Sequence, residues 1–96
     1  MVLTMKDPST PERAEILALE ALAWLVGRQD DIGRFLHVSG LETGDLRRAA
    51  GKAELLGSLL DFLLQNEPLL VEFCQDSSVS PKAVHAARHK LESLCG

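Results

Sequence analysis

The sequence predicts an all-α protein, a compact bundle of five or six helices, on three observations. The apolar residues are mainly Leu, Ala and Val, with aromatics at only 4% and no Tyr, a set that forms helices readily and suits a sheet poorly. Ser, Thr and Pro recur together at places where helices begin, at "STPERAE" and "VSPKAV". Between those places the polar residues return at steps of three and four, the period of a helix with one wet face. At 96 residues the chain is expected to form one domain over 9–96, with 1–8 as a flexible tail.

The first helix is expected after a cap at Ser9 or Thr10, with Pro11 in its first position, running through "AEILALEALAWLV" to a stop at Gly27. It reads as apolar nearly all round, so it is expected to be central and buried. A second, short helix is expected from a cap at Asp30 or Asp31 through about Val38. "SGLET" then turns the chain, and Thr43 can cap a third helix from about Gly44 to Ala50, ended by Gly51. The fourth, Lys52 to Gln65, shows the pattern most clearly. Glu54, Ser58, Asp61 and Gln65 make one solvent stripe, and Leu55, Leu56, Leu59, Leu60, Phe62 and Leu63 face inward. "QNEP" breaks the chain because the residue before a proline is biased away from helix. Pro68 opens a fifth helix through about Gln75, and Ser80 with Pro81 opens a sixth whose inner face is Val84, Ala87, Leu91 and Leu94.

Sliding the sequence by 38 residues lays 14–50 over 52–88 without a gap. Leu17, Leu22, Leu25, Phe35, Ser39 and Ala49 then meet Leu55, Leu60, Leu63, Phe73, Ser77 and Ala87. Trp24 meets Phe62, Leu41 meets Val79, and "VSGL" meets "DSSV". The sequence thus predicts two pseudo-repeated three-helix units that share a core, since neither unit could bury its apolar surface alone. Trp24 and Phe62 are expected in that core, with a small groove between the units as the other use of their surroundings. Leu41 and Val79 are expected as core plugs in the turns, with contact points as the alternative.

The stretch "RFLHVSGLETGDLRR" has the outline of a DNA-reading helix-turn-helix, with Arg34, Arg47 and Arg48 as its candidate contacts and Lys52 nearby. Three features weigh against nucleic acid. The formal net charge is -4; the two halves carry six basic against eight acidic and four against six; and the second copy puts His85 and Ala86 where the arginines stand. Cations at a helix end, with Asp45 and Glu42 able to pair with them, explain the cluster without DNA. His85, His89 and Glu92 share one face of the last helix at a spacing that can seat a metal, but Lys82 lies on that face and no general base accompanies the pair. A solvated helix face with two ordinary histidines is the favoured reading, and the metal site is its alternative.

No phosphate loop, nucleophile-base pair or paired catalytic carboxylates stand out, so no enzyme activity and no cofactor are expected. Cys74 and Cys95 are too few for a disulfide framework or a zinc cage, and Cys74 reads as a small buried hydrophobe. "MVLTM" lacks the apolar length of a signal peptide, and "LLGSLLDFLL" is interrupted by Ser58 and Asp61, so a cytoplasmic protein with no membrane span is expected.

"LALEALAWLVG", "IGRFLHVSGLETGDLRRAA" and "LLDFLLQNEPLLVEFC" resemble a family of small uncharacterised bacterial proteins, known mainly from alphaproteobacteria and classed as domain of unknown function 3572. The resemblance covers about residues 12–90 and implies a small helical cytoplasmic protein of a bacterium, with no activity, cofactor or catalytic residue to carry over. The leading functional expectation is a non-enzymatic interaction or adaptor module that binds a protein partner through the region Arg34 to Arg48. A homodimer is the further arrangement that an uncovered apolar seam would favour. The DNA-binding and metal-binding readings stand as alternatives.

Overall fold

In the computed structural model, which describes residues 10–42, 44–45, 48 and 52–95, the chain is all-α. Among those residues five helices follow one another: α1 (Pro11–Val26), α2 (Gln29–Ser39), α3 (Ala53–Gln65), α4 (Glu67–Ser77) and α5 (Pro81–Cys95). None is long and apolar enough to cross a membrane. The expected tail 1–8 lies outside the described residues. So does most of the expected third helix: Gly44, Asp45 and Arg48 have helical backbone, while Thr43, Leu46, Arg47, Ala49, Ala50 and Gly51 are not described.

The helix starts follow side-chain chemistry closely. The Thr10 hydroxyl accepts the Arg13 N–H at 3.2 Å, and the Ser80 hydroxyl accepts the Ala83 N–H at 3.1 Å, each just ahead of a proline that has no N–H to satisfy. At α2 the expected aspartate cap is replaced. The helix begins at Gln29 after Arg28, with no side-chain cap, and Asp30 and Asp31 stand in its first turn. There they still oppose the helix dipole, and Asp31 is drawn to the Arg28 Nε at 2.7 Å instead of to a backbone N–H. α4 begins at Glu67, one residue earlier than expected, because Asn66 serves two helices at once. Its N–H donates to the Leu63 carbonyl, its side-chain amide donates to the Phe62 carbonyl, and its own carbonyl accepts the Leu70 N–H.

α3 is buried along Leu55, Leu56, Gly57, Leu59, Leu60, Phe62 and Leu63, and packs against α1 and α5. The inner face of α5 is Val84, Ala87 and Leu91, as expected; the side chain of Leu94 lies outside the described residues. α1 departs from the all-round burial expected of it. Ala14, Leu17, Ala18, Ala21, Leu22 and Leu25 are buried, but Leu19 is 42% and Val26 52% exposed. The reason is that α2, α3 and α5 take up the inner side of α1, and alanines let that side be lined closely without using the outer one. Among the described residues no polar or charged side chain is buried, so the core is apolar throughout.

Displaced by 38 residues, α2 falls on α4 end to end. Both helices end on a left-handed residue, Gly40 at φ 75° and Ser78 at φ 56°. In both, the next N–H reaches five residues back: Leu41 to the Leu36 carbonyl at 3.1 Å and Val79 to the Cys74 carbonyl at 3.0 Å. This is the Schellman closure, which turns an apolar residue inward. Val79 is buried and Leu41 packs partly buried on the core, the plugging role expected of both. The aromatic residues pair across the same correspondence. Trp24 meets Phe73 edge-on at 5.4 Å, and Phe62, the counterpart of Trp24, meets Phe35, the counterpart of Phe73, at 5.5 Å.

Two outcomes are expected for stability. Phe35→Ala and Phe73→Ala each lower the unfolding free energy by about 3–5 kcal/mol in chemical denaturation, since both rings are fully enclosed. Ser78→Gly raises it by about 1 kcal/mol, because glycine adopts the left-handed cap without strain, whereas Gly40→Ser lowers it by a similar amount.

Candidate interaction surface

The candidate residues of the sequence reading separate into three groups. Arg34 projects from α2 with 59% of its side chain exposed. Its Nη2 donates to the Asn66 Oδ1 at 3.0 Å, and its Nη1 lies 3.6 Å from the Asp31 carboxylate. Arg48 is 78% exposed and reaches the Asp45 carboxylate at 2.7 Å, so it is spent on its own turn. Arg47 lies outside the described residues. Asp45 also accepts the Glu42 N–H at 3.0 Å, and this bond, with Arg48 second, holds its carboxyl below the ordinary aspartate range.

His85, His89 and Glu92 are exposed along α5. Glu92 lies 3.5 Å from Arg88, which is itself held bidentately by Asp61 at 2.7 and 2.8 Å. Among the described residues no group of three or more His, Cys, Asp and Glu is placed to hold a metal ion. The Asp61–Arg88 pair spans a groove of about 370 Å³ between α3 and α5, whose lining also includes Glu54 and Glu92. Cys74 is buried and free, and burial pushes its thiol pKa up, away from the reactive thiolate.

A larger open groove, about 490 Å³, runs between α2 and the end of α3. One wall is the α2 face of Asp30, Gly33, Arg34 and Val38; the other is Phe62 and Asn66. The helical period puts residues 30, 33, 34 and 37 on one side of α2, and the break at Asn66 ends α3 beside them. Val38, at the rim, is the most exposed large apolar side chain described, at 72%. Gly33 leaves the wall low: a Cβ built there meets nothing within 4 Å.

Sequence reasoning singled out Arg34 but missed Arg28, Asn66 and Asp76. Arg28 lies over the Trp24 ring at 4.7 Å from its centroid and donates to Glu72 at 2.9 Å. The shorter bond to Asp31, and after it the attraction of Glu72, raise its already high pKa. Trp24 Nε1–H donates to Asp76 at 2.9 Å. The signal that could have found them was the repeat itself. Under the 38-residue displacement Arg28 answers to Asn66 and Glu72 to Arg34, so the Arg28–Glu72 pair is the counterpart of the Arg34–Asn66 pair.

A small helical bundle with an apolar core, charged pairs on its rim and an open groove beside a short helix defines the class of this protein. The chain belongs to the family described as Protein of unknown function (DUF3572), whose sequence model matches residues 11–93. No curated protein and no solved structure matches the chain.

The bonds at Asp45 have a measurable sign. Its folded pKa is depressed, so its contribution to stability is present above the ordinary carboxylate range and is lost as pH falls through the lowered folded value. Carboxyl-detected NMR titration is expected to place the Asp45 midpoint below the ordinary aspartate value, and Arg48→Ala to move it only part of the way back.

Proposed function

We propose that this protein is a non-enzymatic protein-interaction module of the bacterial cytoplasm, and that its docking face is the groove between α2 and the end of α3. The observation that carries this reading is Val38, an aliphatic side chain held out into solvent at the rim of an open groove. A lone exposed valine is ordinary; one that borders an open groove floored by an aromatic ring forms a contact surface. Covering Val38 supplies the apolar part of a binding energy, and the polar rim of the groove supplies orientation.

A protein partner fits this surface better than nucleic acid does. The molecule is acidic overall, and Arg34 and Arg48 each lie against a carboxylate of this chain, so neither adds an unopposed positive field for phosphates. The metal-binding alternative draws no support from the exposed His85, His89 and Glu92 face, where Glu92 is engaged by Arg88.

The test is affinity capture from the source cells with the tagged protein, its Val38→Glu variant and a Val71→Glu control, with and without nuclease. A protein captured by the parent and the control, resistant to nuclease and lost with Val38→Glu, is the expected result. Both substitutions lie at exposed sites and are expected to change stability by less than about 0.5 kcal/mol. Recovery that vanishes with nuclease, or that is indifferent to Val38, or that consists only of a second copy of the bait, overturns the reading.

A further inference from the structure

We propose that the outer face of α1 docks a cationic amphipathic helix of a partner protein, whose apolar seam covers Ile16, Leu19, Ala23 and Val26 and whose lysines or arginines pair with Glu15 and Glu20. This face shares no residue with the α2–α3 groove and does not rest on that docking surface.

α1 is apolar on two sides. The inner side, from Ala14 to Leu25, is consumed by the core. Ile16, Leu19, Ala23 and Val26 lie on the opposite side, at steps of three, four and three. Leu19 is 42% and Val26 52% exposed, Ala23 is exposed and Ile16 is half-buried. Apolar residues scattered singly on a surface are ordinary. These four are not scattered: their spacing is the 3.5-residue repeat by which one helix receives the side chains of another. From residue 16 to residue 26 the seam runs about 15 Å, close to three turns of a facing helix. Ala23 in its middle lets the two backbones approach.

The residues beside the seam decide which helix fits. In such pairings the positions just outside the seam set partner and orientation through their charge. Here they are Glu15, directly before Ile16, and Glu20, directly after Leu19, one on each flank. Neither has an ion-pair partner among the described residues. One carboxylate oxygen of Glu20 is buried and accepts no hydrogen bond. A second copy of this chain does not suit the face. Side by side in parallel, Glu15 of one copy meets Glu20 of the other; antiparallel, each glutamate meets its own counterpart. Like charges oppose each other in both orientations. The uncovered apolar seam that would favour a homodimer thus carries the charges that resist one. A helix with Lys or Arg at those places turns both contacts into attractions and brings a donor to the Glu20 oxygen.

The experiment is an NMR titration of the full isotope-labelled chain with three helix-prone, end-blocked peptides at millimolar concentration: one with Leu along the seam and Lys on both flanks, one with Leu and Glu, and one with Ser and Lys. The Leu/Lys peptide is expected to shift the amides of Ile16, Leu19, Ala23 and Val26. The Leu/Glu peptide is expected to bind roughly ten-fold more weakly, the size of two exposed ion pairs lost, and the Ser/Lys peptide not to bind. Glu15→Lys combined with Glu20→Lys is expected to reverse the order of the two Leu peptides, and Leu19→Lys to abolish the shifts while leaving the rest of the spectrum folded. Val38→Glu is expected to leave the titration unchanged, so failure of this face and failure of the α2–α3 docking surface are read separately. Equal binding of the two Leu peptides, an unreversed order in the charge-swapped chain, shifts elsewhere, or no binding overturns the proposal. A dimer of the peptide-free chain that Leu19→Lys dissolves in sedimentation also overturns it, by making a second copy the occupant. Movement of the seam amides in Leu3→Asp without peptide does the same, by making the chain's own first residues the occupant.

Discussion

Two edge-on aromatic contacts hold the two halves of the bundle in register. The chain has one Trp and three Phe, and all four are used: Trp24 on α1 against Phe73 on α4, and Phe62 on α3 against Phe35 on α2. Each contact joins an element of the first half to one of the second, and the two cross. Such pairs contribute about 0.5–1.5 kcal/mol beyond the area they bury, and their value here is also directional. A leucine core tolerates sliding, because one leucine resembles the next; a ring that must meet another ring by its edge does not. With the hairpins α1–α2 and α3–α4 aligned in this way, α5 lies across α1 and α3 and seals the leucines between them.

The legibility of the fold followed the strength of local chemistry. The caps at Thr10 and Ser80, the prolines after them and the wet stripe of α3 were readable because each depends on residues within a turn of one another. The left-handed closure of α4 at Ser78 was less so, because only its likeness to "VSGL" marked a serine in a glycine's place. What sequence could not give was direction in space. α1 looked apolar on every side, and only the packing of its neighbours decided that Leu19 and Val26 face outward. Arg34 was marked as a candidate for its charge, while its partner Asn66 is distant in sequence and is brought near only by α3. The metal spacing on α5 was a true helical periodicity, but periodicity describes a face and not its partners, and Arg88 takes up Glu92.

Fold and surface are energetically separate in this molecule. Among the described residues the core contains no buried polar side chain, and the ion pairs, Arg28 with Asp31 and Glu72, Arg48 with Asp45, Arg88 with Asp61, lie on the rim. Rim pairs of this kind contribute at most about 1 kcal/mol each. The charged residues around the groove can therefore change identity with little effect on the bundle beneath.

Cys74 extends that separation into time. Its sulfur sits among the core residues of α4, with burial holding it in the unreactive thiol form. A thiol in that position is largely shielded from solvent, so its rate of alkylation rises when α4 lifts from its neighbours. The α4 side is the corner closed by Trp24, Arg28 and Asp76. The rate at which Cys74 is labelled would thus time the opening of the corner that Trp24, Arg28 and Asp76 close.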